Sequence, residues 1–216
     1  MIKLLIADDH HLVRTSIAHL INQECDMTII GEAADGESAV AQCRGQRPDI
    51  VLMDTHMPGI GGLEAIRRIC RGMSDIKVLV LTAHIEGSLA RHIIEAGAAG
   101  FLSKSAYHHE MLDAIRHVFH GRRYIGHSVA QRLALTHVAG EANRFNQLSR
   151  RELQIALMVV NGQRVCDIAE HLHLSSKTIN AYRYRVFAKL DIDSDVKLTH
   201  LALHHGLVDG FDAINA

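Results

Sequence analysis

The sequence predicts two domains of different class, a doubly wound α/β domain with a five-stranded parallel sheet followed by an all-α domain of four helices. Three observations carry this. Short apolar runs alternate with segments of helical periodicity from the N-terminus to Gly121. The runs stop at polar or turn-forming residues, as strands do when buried in a parallel sheet with its functional groups at the strand carboxyl ends. From Leu148 onward only helical patterns remain.

In order, residues 2–7 are an apolar run that ends at Asp8-Asp9. Residues 11–22 carry Leu12, Ile17, Leu20 and Ile21 at helical spacing. Met27 to Ile30 is a short strand, and Ala39, Val40 and Cys43 mark a helix after Gly36. Asp49 to Met53 is the strand that delivers Asp54, and a Pro/Gly-rich loop follows it. Leu63, Ile66, Ile69 and Cys70 form the next helix stripe. Lys77 to Leu81 is the fourth strand, ending at Thr82, and a helix over residues 86–95 closes on Gly97. Gly100 to Leu102 is a brief fifth strand ending near Lys104. A final helix from about Tyr107 carries Met111, Leu112, Ile115, Val118 and Phe119.

Residues 122–146 are polar, break the alternation and read as a linker with a helical piece around Leu133 and Leu135, between domains at 1–121 and 147–210. Ser149 and Glu152 have capping-box spacing ahead of the stripe Leu153, Ala156, Leu157, Val160. Val165, Ile168, Ala169 and Leu172 mark a second helix, and Ser175 or Ser176 caps a third that runs to Leu190. The last helix, Val196 to about His205, offers Leu198, Leu201, Ala202 and Leu203 either to a second copy of the chain or to its own domain.

Composition narrows the function. The chain has 216 residues, 48% of them hydrophobic, and a net charge of −1. No apolar stretch approaches the roughly 18 residues of a membrane span, and a strand begins almost at Met1, so a cytoplasmic protein without a targeting segment is expected. Cys25, Cys43, Cys70 and Cys166 lie too far apart for a CxxC metal motif and suit reduced thiols. The histidine doublets at residues 10–11, 108–109 and 204–205 lack helical ligand spacing and read as solvated faces. Charge is uneven: residues 1–121 carry 11 basic and 15 acidic side chains, whereas residues 145–216 carry 8 of each.

Two constellations carry chemistry. The strand ends hold Asp8 and Asp9, Asp54, Thr82 and Lys104. Clustered carboxylates repel one another unless a cation lies among them, and an all-oxygen site with open positions suits Mg²⁺. Asp54 could then act as a nucleophile toward a phosphoryl group, with Lys104 neutralising charge and the Thr82 hydroxyl donating a hydrogen bond. The bland alternative is a salt-bridged structural cluster. In the third helix of the second half, Lys177, Arg183, Arg185 and Lys189 bring four positive charges with no acid between residues 176 and 190. A basic helix preceded by a turn and a scaffold helix suits insertion into the major groove of double-stranded DNA.

The set Asp8-Asp9, Asp54-x-x-Met57-Pro58-Gly59, Thr82 and Lys104 resembles the receiver domain of bacterial two-component response regulators. The resemblance implies phosphorylation of Asp54 by a sensor histidine kinase. It also implies Mg²⁺ held by Asp9, Asp54 and the backbone carbonyl of His56, with Asp8 assisting through water. Phe101 matches an aromatic position that reorients together with Thr82. Ser105 stands where many receivers have proline, so no cis peptide bond is implied there. His56 and His84, two residues beyond Asp54 and Thr82, occupy places that in this family influence loss of the phosphoryl group.

Leu148-Ser149-x-Arg151-Glu152, Ile168-Ala169 with Leu172, and Lys177-Thr178-Ile179-Asn180 with Arg183 and Lys189-Leu190 resemble the LuxR-type helix-turn-helix of the NarL/FixJ response regulators. The runs Met57-Pro58-Gly59-Ile60-Gly61-Gly62-Leu63-Glu64-Ala65, Ala98-Ala99-Gly100 and Asn180-Ala181-Tyr182-Arg183-Tyr184-Arg185 resemble the GacA/UvrY group among them. By that likeness Asn180, Ala181 and Tyr184 would meet base edges, while Lys177, Thr178, Arg183, Arg185 and Lys189 would meet phosphates. Family members bind paired half-sites as dimers. The expectation is a transcription factor that phosphorylation converts to a DNA-binding homodimer. Its rivals are a phosphorelay intermediate or phosphatase, and a protein-interaction module that never touches DNA.

Overall fold

A computed structural model describes residues 1–82, 87–138, 144–205 and 207. The chain forms β1 (Ile2–Ala7), α1 (His11–Ile21), β2 (Met27–Ala33), α2 (Gly36–Gln46), β3 (Ile50–Asp54), α3 (Gly61–Gly72), β4 (Lys77–Thr82), α4 (Gly87–Ala96), β5 (Gly100–Ser103), α5 (His108–Phe119), β6 (Tyr124–Ile125) and α6 (His127–Val138). After a 3₁₀ turn at Arg144–Gln147 come α7 (Arg150–Val160), α8 (Val165–His171), α9 (Ser176–Leu190) and α10 (Asp195–His204). Packing divides the described residues into two compact units, the first holding residues 1–82 and 93–131 and the second the remainder.

The first unit is built on one parallel sheet in the order β2-β1-β3-β4-β5-β6. Strand residues alternate between its faces. Leu4, Ile6, Ile50, Leu52, Leu79, Leu81 and Leu102 share a core with Ile17 and Ile21 of α1 and Ile115 and Val118 of α5. The intervening Leu5, Val51, Met53, Val78, Val80 and Phe101 are equally buried, and α2 packs on α3. Strands buried on both sides have no polar face to alternate with, which is why they appear in the sequence as continuous apolar runs.

Three expectations are corrected. The sheet has six strands: Tyr124 donates to the carbonyl of Ala99 at 3.2 Å, Gly126 donates to that of Phe101 at 2.9 Å, and Tyr124–Ile125 joins in parallel next to β5. A two-residue strand is held by main-chain bonds and carries no periodicity to read. Leu12 is 77% exposed and borders a cavity of about 320 Å³ with Ile17, Leu102, Lys104 and Met111. Phe119, at the last turn of α5, is exposed as well, so Val118 ends that helix's core stripe. The stretch expected as linker carries β6, α6 and the start of the 3₁₀ turn; the side chains of Leu133 and Leu135, and residues 208–210, lie outside the described residues.

In the second unit Ile155 and Met158 of α7, Ile168 and Ala169 of α8 and Ile179 of α9 form one core with Leu172. Ser149 caps α7 with both halves of the capping box present, and Ser175 caps α9 by accepting from Thr178 N–H. Leu198 and Ala202 of α10 are buried within this unit, and α10 packs on α7. The inward use of that stripe therefore holds for those two residues. Phe145, in the 3₁₀ turn, is fully buried here too, and Arg144 donates to the Leu190 carbonyl at 3.2 Å.

Candidate phosphoacceptor site and nucleic-acid interface

Parallel strands in register end together. Ala7 pairs with Met53, Asp54 with Leu81 and Thr82 with Ser103, so Asp8, Asp54, Thr82 and Lys104 come to a single edge of the sheet. The loop after Asp54 is shaped by glycine. Gly59 has φ of +73°, and a Cβ on Gly62 would collide with the carbonyl oxygen of Asp54, so α3 begins directly against the site. Glu37 of α2 secures the loop by accepting the Ile60 N–H at 3.0 Å.

Lys104 stands between two acids. Its ammonium donates to Oδ2 of Asp54 at 2.8 Å and lies 2.8 Å from Oδ2 of Asp8, both carboxylates being 1% exposed. Carboxylate crowding is thus relieved first by the protein's own lysine. Oδ1 of Asp54 remains buried without a hydrogen-bond partner. Burial pushes the Asp54 carboxyl above its ordinary pKa and Asp8 adds to the rise, against the opposing pull of Lys104. For Lys104, burial opposes the charge but Asp54 and Asp8 outweigh it, and its pKa is raised.

Carboxylate and imidazole atoms of Asp8, Asp9, His10 and Asp54 all lie within 4.8 Å of one another. An orphaned buried oxygen beside further hard oxygen donors fits a small divalent cation. His10, part of a doublet expected on a solvated face, is indeed 52% exposed, but it also touches the acid pair. Its N–H donates to Asp8 Oδ1 at 2.9 Å, and its Nδ1 lies 2.7 Å from Asp9. Burial opposes protonation of that ring, yet the two acids raise its pKa overall. Its position directly after the acid pair was the available signal.

Thr82 and Phe101 are both buried, at the end of β4 and within β5. The Thr82 carbonyl accepts the Lys104 N–H at 2.8 Å. His56 is half-buried, its Nδ1 3.0 Å from the Thr55 hydroxyl. No described residue has a cis peptide bond, so the Lys104–Ser105 bond is trans. His84 lies outside the described residues.

The basic helix α9 divides into two sets. Lys177, Ala181, Tyr184 and Arg185 are exposed, Tyr184 at 71%. Arg185 lies over the Tyr182 ring, 4.4 Å from its centroid, while Thr178 is half-buried beside Ser175. Arg183 and Lys189 behave otherwise. Arg183 is ion-paired with Asp195 of α10 and donates to Asn180 Oδ1 at 2.8 Å. Lys189 donates to Glu152 of α7 at 2.6 Å. The expected four uncompensated charges are therefore two, because the counter-charges come from other helices.

The model for the response regulator receiver domain matches residues 4–116, and that for the luxR family of bacterial regulatory proteins matches residues 146–202. Response regulator UvrY of Escherichia coli strain K12 is 50% identical over 209 residues, 96% of either chain. The chain belongs to the response regulator family. Response regulator GacA of Pseudomonas aeruginosa PAO1 is 48% identical to this response regulator, over 97% of its length and 99% of the relative's. Among solved structures, RcsB from Salmonella enterica serovar Typhimurium, bound to promoter rprA in the presence of phosphomimetic BeF3⁻, shares its fold. The TM-score is 0.74 at 22% identity, covering 93% of this chain and 97% of that one. A LuxR-family regulator from Aurantimonas is 35% identical, with a TM-score of 0.60, over 63% of this chain and 97% of that one. No described helix is long and apolar enough to cross a membrane.

Proposed function

We propose that this response regulator is a cytoplasmic transcription factor in which Asp54 receives a phosphoryl group from a sensor histidine kinase, and that the modified chain binds promoter DNA as a homodimer. The observation that carries the phosphoacceptor reading is the buried Oδ1 of Asp54, which has no hydrogen-bond partner while Lys104 occupies the other oxygen.

In this reading Asp54 attacks phosphorus. An O–P bond forms, the bond to the kinase imidazole breaks, and the electron pair leaves with that nitrogen. Lys104 neutralises charge on the transferred group, and the Thr82 hydroxyl donates to one of its oxygens. Asp8, Asp9, Asp54 and the His56 backbone carbonyl would hold Mg²⁺, which when bound neutralises charge on the phosphoryl oxygens. Phe101, packed within β5 beside the strand that ends in Thr82, is the candidate to move with it and alter the surface of the receiver. Phosphorylation then biases one of two pre-existing arrangements. The proposed organisation departs from the expected bounds at both edges of the linker: the receiver includes β6 at Tyr124–Ile125, and the DNA-binding domain includes the buried Phe145.

On α9, Asn180, Ala181 and Tyr184 face base edges, and Lys177, Thr178 and Arg185 meet phosphates. Arg183 and Lys189 are withdrawn from the phosphate set on the strength of their intradomain ion pairs. The deciding experiment is duplex binding at two salt concentrations, with and without acetyl phosphate or beryllofluoride, on the full chain and on Asp54→Asn. Treatment should tighten binding by the parent and leave the variant unchanged. Equal tightening of the variant on treatment refutes the phosphoacceptor assignment, and binding without a salt slope refutes the DNA reading.

A further inference from the structure

The loop that carries the acid pair is tied down by one arginine. Between β1 and α1 the chain reads Asp8-Asp9-His10, with neither proline nor glycine to fix its course. His10, the N-cap of α1, makes no side-chain bond to the helix. Arg14, in the first turn of α1, reaches back instead. Its Nη1 donates to the carbonyl of Asp8 at 2.8 Å and to that of Asp9 at 3.2 Å, one N–H for each. Its Nε donates to Oε2 of Glu32 at 3.1 Å, and the arginine side chain is only 12% exposed. Glu32 is placed by the sheet, because it pairs with Ile6 in the register of β1 with β2. The guanidinium is a rigid plane, so an anchor at Nε restrains Nη1 as well.

We infer that Arg14 and Glu32 are positioning residues for the proposed divalent-cation site, acting through the backbone of Asp8 and Asp9. This deepens the phosphoacceptor reading above and rests on it. Asp8 has a second restraint, since Lys104 lies 2.8 Å from its carboxylate. Asp9 differs: its side chain is 33% exposed and its carboxylate is met by the exposed His10 ring. The two carbonyls that Arg14 holds belong to the two peptides flanking the Asp9 Cα. Each peptide is a plane, and a Cα between two fixed planes has a fixed Cβ direction. Arg14 thereby aims the Asp9 side chain, and Glu32 aims Arg14. Charge alone predicts that removing Arg14 tightens cation binding, because a nearby positive charge is lost. Loss of a supporting group behind a metal ligand predicts the opposite sign.

The test uses Mn²⁺ as the probe on the full-length chain, because the paramagnetic resonance signal of the free ion disappears as it binds, with Mg²⁺ added as competitor. Arg14→Gln should weaken Mn²⁺ binding about tenfold in spite of the lost positive charge. Glu32→Ala, at a surface position, should weaken it too, and should cause no further loss once Arg14 is glutamine. Melting temperatures without metal follow the fold separately. A merely structural staple would lower those temperatures and leave the Mn²⁺ affinity of the folded chain unchanged, and that result overturns the inference. So does tighter binding by Arg14→Gln, or losses that add in the double variant. If Arg14→Gln does not fold, unchanged affinity in Glu32→Ala overturns the inference by itself. Absence of Mn²⁺ binding in the parent, or binding at full strength in Asp9→Ala, overturns the metal reading as well. Binding that Asp9→Ala abolishes and Arg14→Gln leaves intact overturns only the inference.

Discussion

Lys189 donates to Oε2 of Glu152 at 2.6 Å, and the same oxygen accepts the Ser149 N–H at 2.7 Å. One carboxylate oxygen therefore closes the N-terminus of α7 and restrains the last turn of α9. Burial works against the Glu152 charge, but Lys189 and Ser149 prevail and its pKa is lowered from the usual 4.5. A carboxylate held below its unfolded pKa stabilises the fold above that pKa and loses the contribution as pH falls through the folded value. Thermal melts of the parent should therefore show a stabilising contribution at pH 7 that is lost as the pH falls below the usual 4.5, and Glu152→Gln should lack that acid limb.

Lys189→Ala should cost about 1 kcal/mol of stability, a modest figure because the lysine is over a third exposed and water screens the pair. Its DNA affinity should keep the parent's salt slope. Lys177→Ala and Arg185→Ala should each reduce the slope of log affinity against log salt by about one. Fluorescence titrations at four salt concentrations separate the two classes.

Tyr184→Ala should change which half-site sequences are preferred, since this exposed ring sits one turn from Ala181 and two from Lys177 on the outer surface of α9. Binding to a phosphate-only competitor such as heparin should stay within about twofold. Uniform loss on all duplexes and on heparin would contradict a base-edge role.

Asp54→Asn should abolish labelling by a phosphodonor and also stabilise the first unit. Burial, with Asp8 adding, raises the Asp54 pKa. The ionised form is then disfavoured in the folded chain, and stability falls as pH rises through the usual 3.8. The variant should melt higher than the parent at pH 7 and at nearly the same temperature near pH 3. Scanning calorimetry at the two pH values checks both signs.

Lys104→Met should leave Asp8 and Asp54 buried without their shared ammonium, at a cost of about 3 kcal/mol. Added Mg²⁺ should recover more stability in this variant than in the parent, because a divalent ion can replace the lost charge. Chemical denaturation with and without millimolar Mg²⁺ reads the difference.

Much of the first unit was legible because parallel topology turns a linear order into a place. Apolar runs ending at Asp8, Asp54, Thr82 and Lys104 had to share an edge once the strands were parallel and in register. The short strand β6 was not legible, since two residues joined by main-chain bonds leave no side-chain pattern. Nor was the exposure of Leu12 and Phe119, which depends on where each helix overhangs its neighbours. In the second unit the capping box and core stripe of α7 could be read from local spacing, whereas the partners of Arg183 and Lys189 could not.

The chain's own order of residues determined two units of different class, the convergence of acids and a lysine at strand tips, and a basic third helix in the second unit. These follow from periodicity and from carboxyl-end geometry, both local or topological properties. Tertiary structure alone decided where each charge is spent. Asp195 is 12 residues from Arg183, Glu152 is 37 from Lys189 and Lys104 is 50 from Asp54. Electrostatic pairing depends on distance in space, so the charges available for phosphoryl groups and for DNA are known only after folding has chosen the partners.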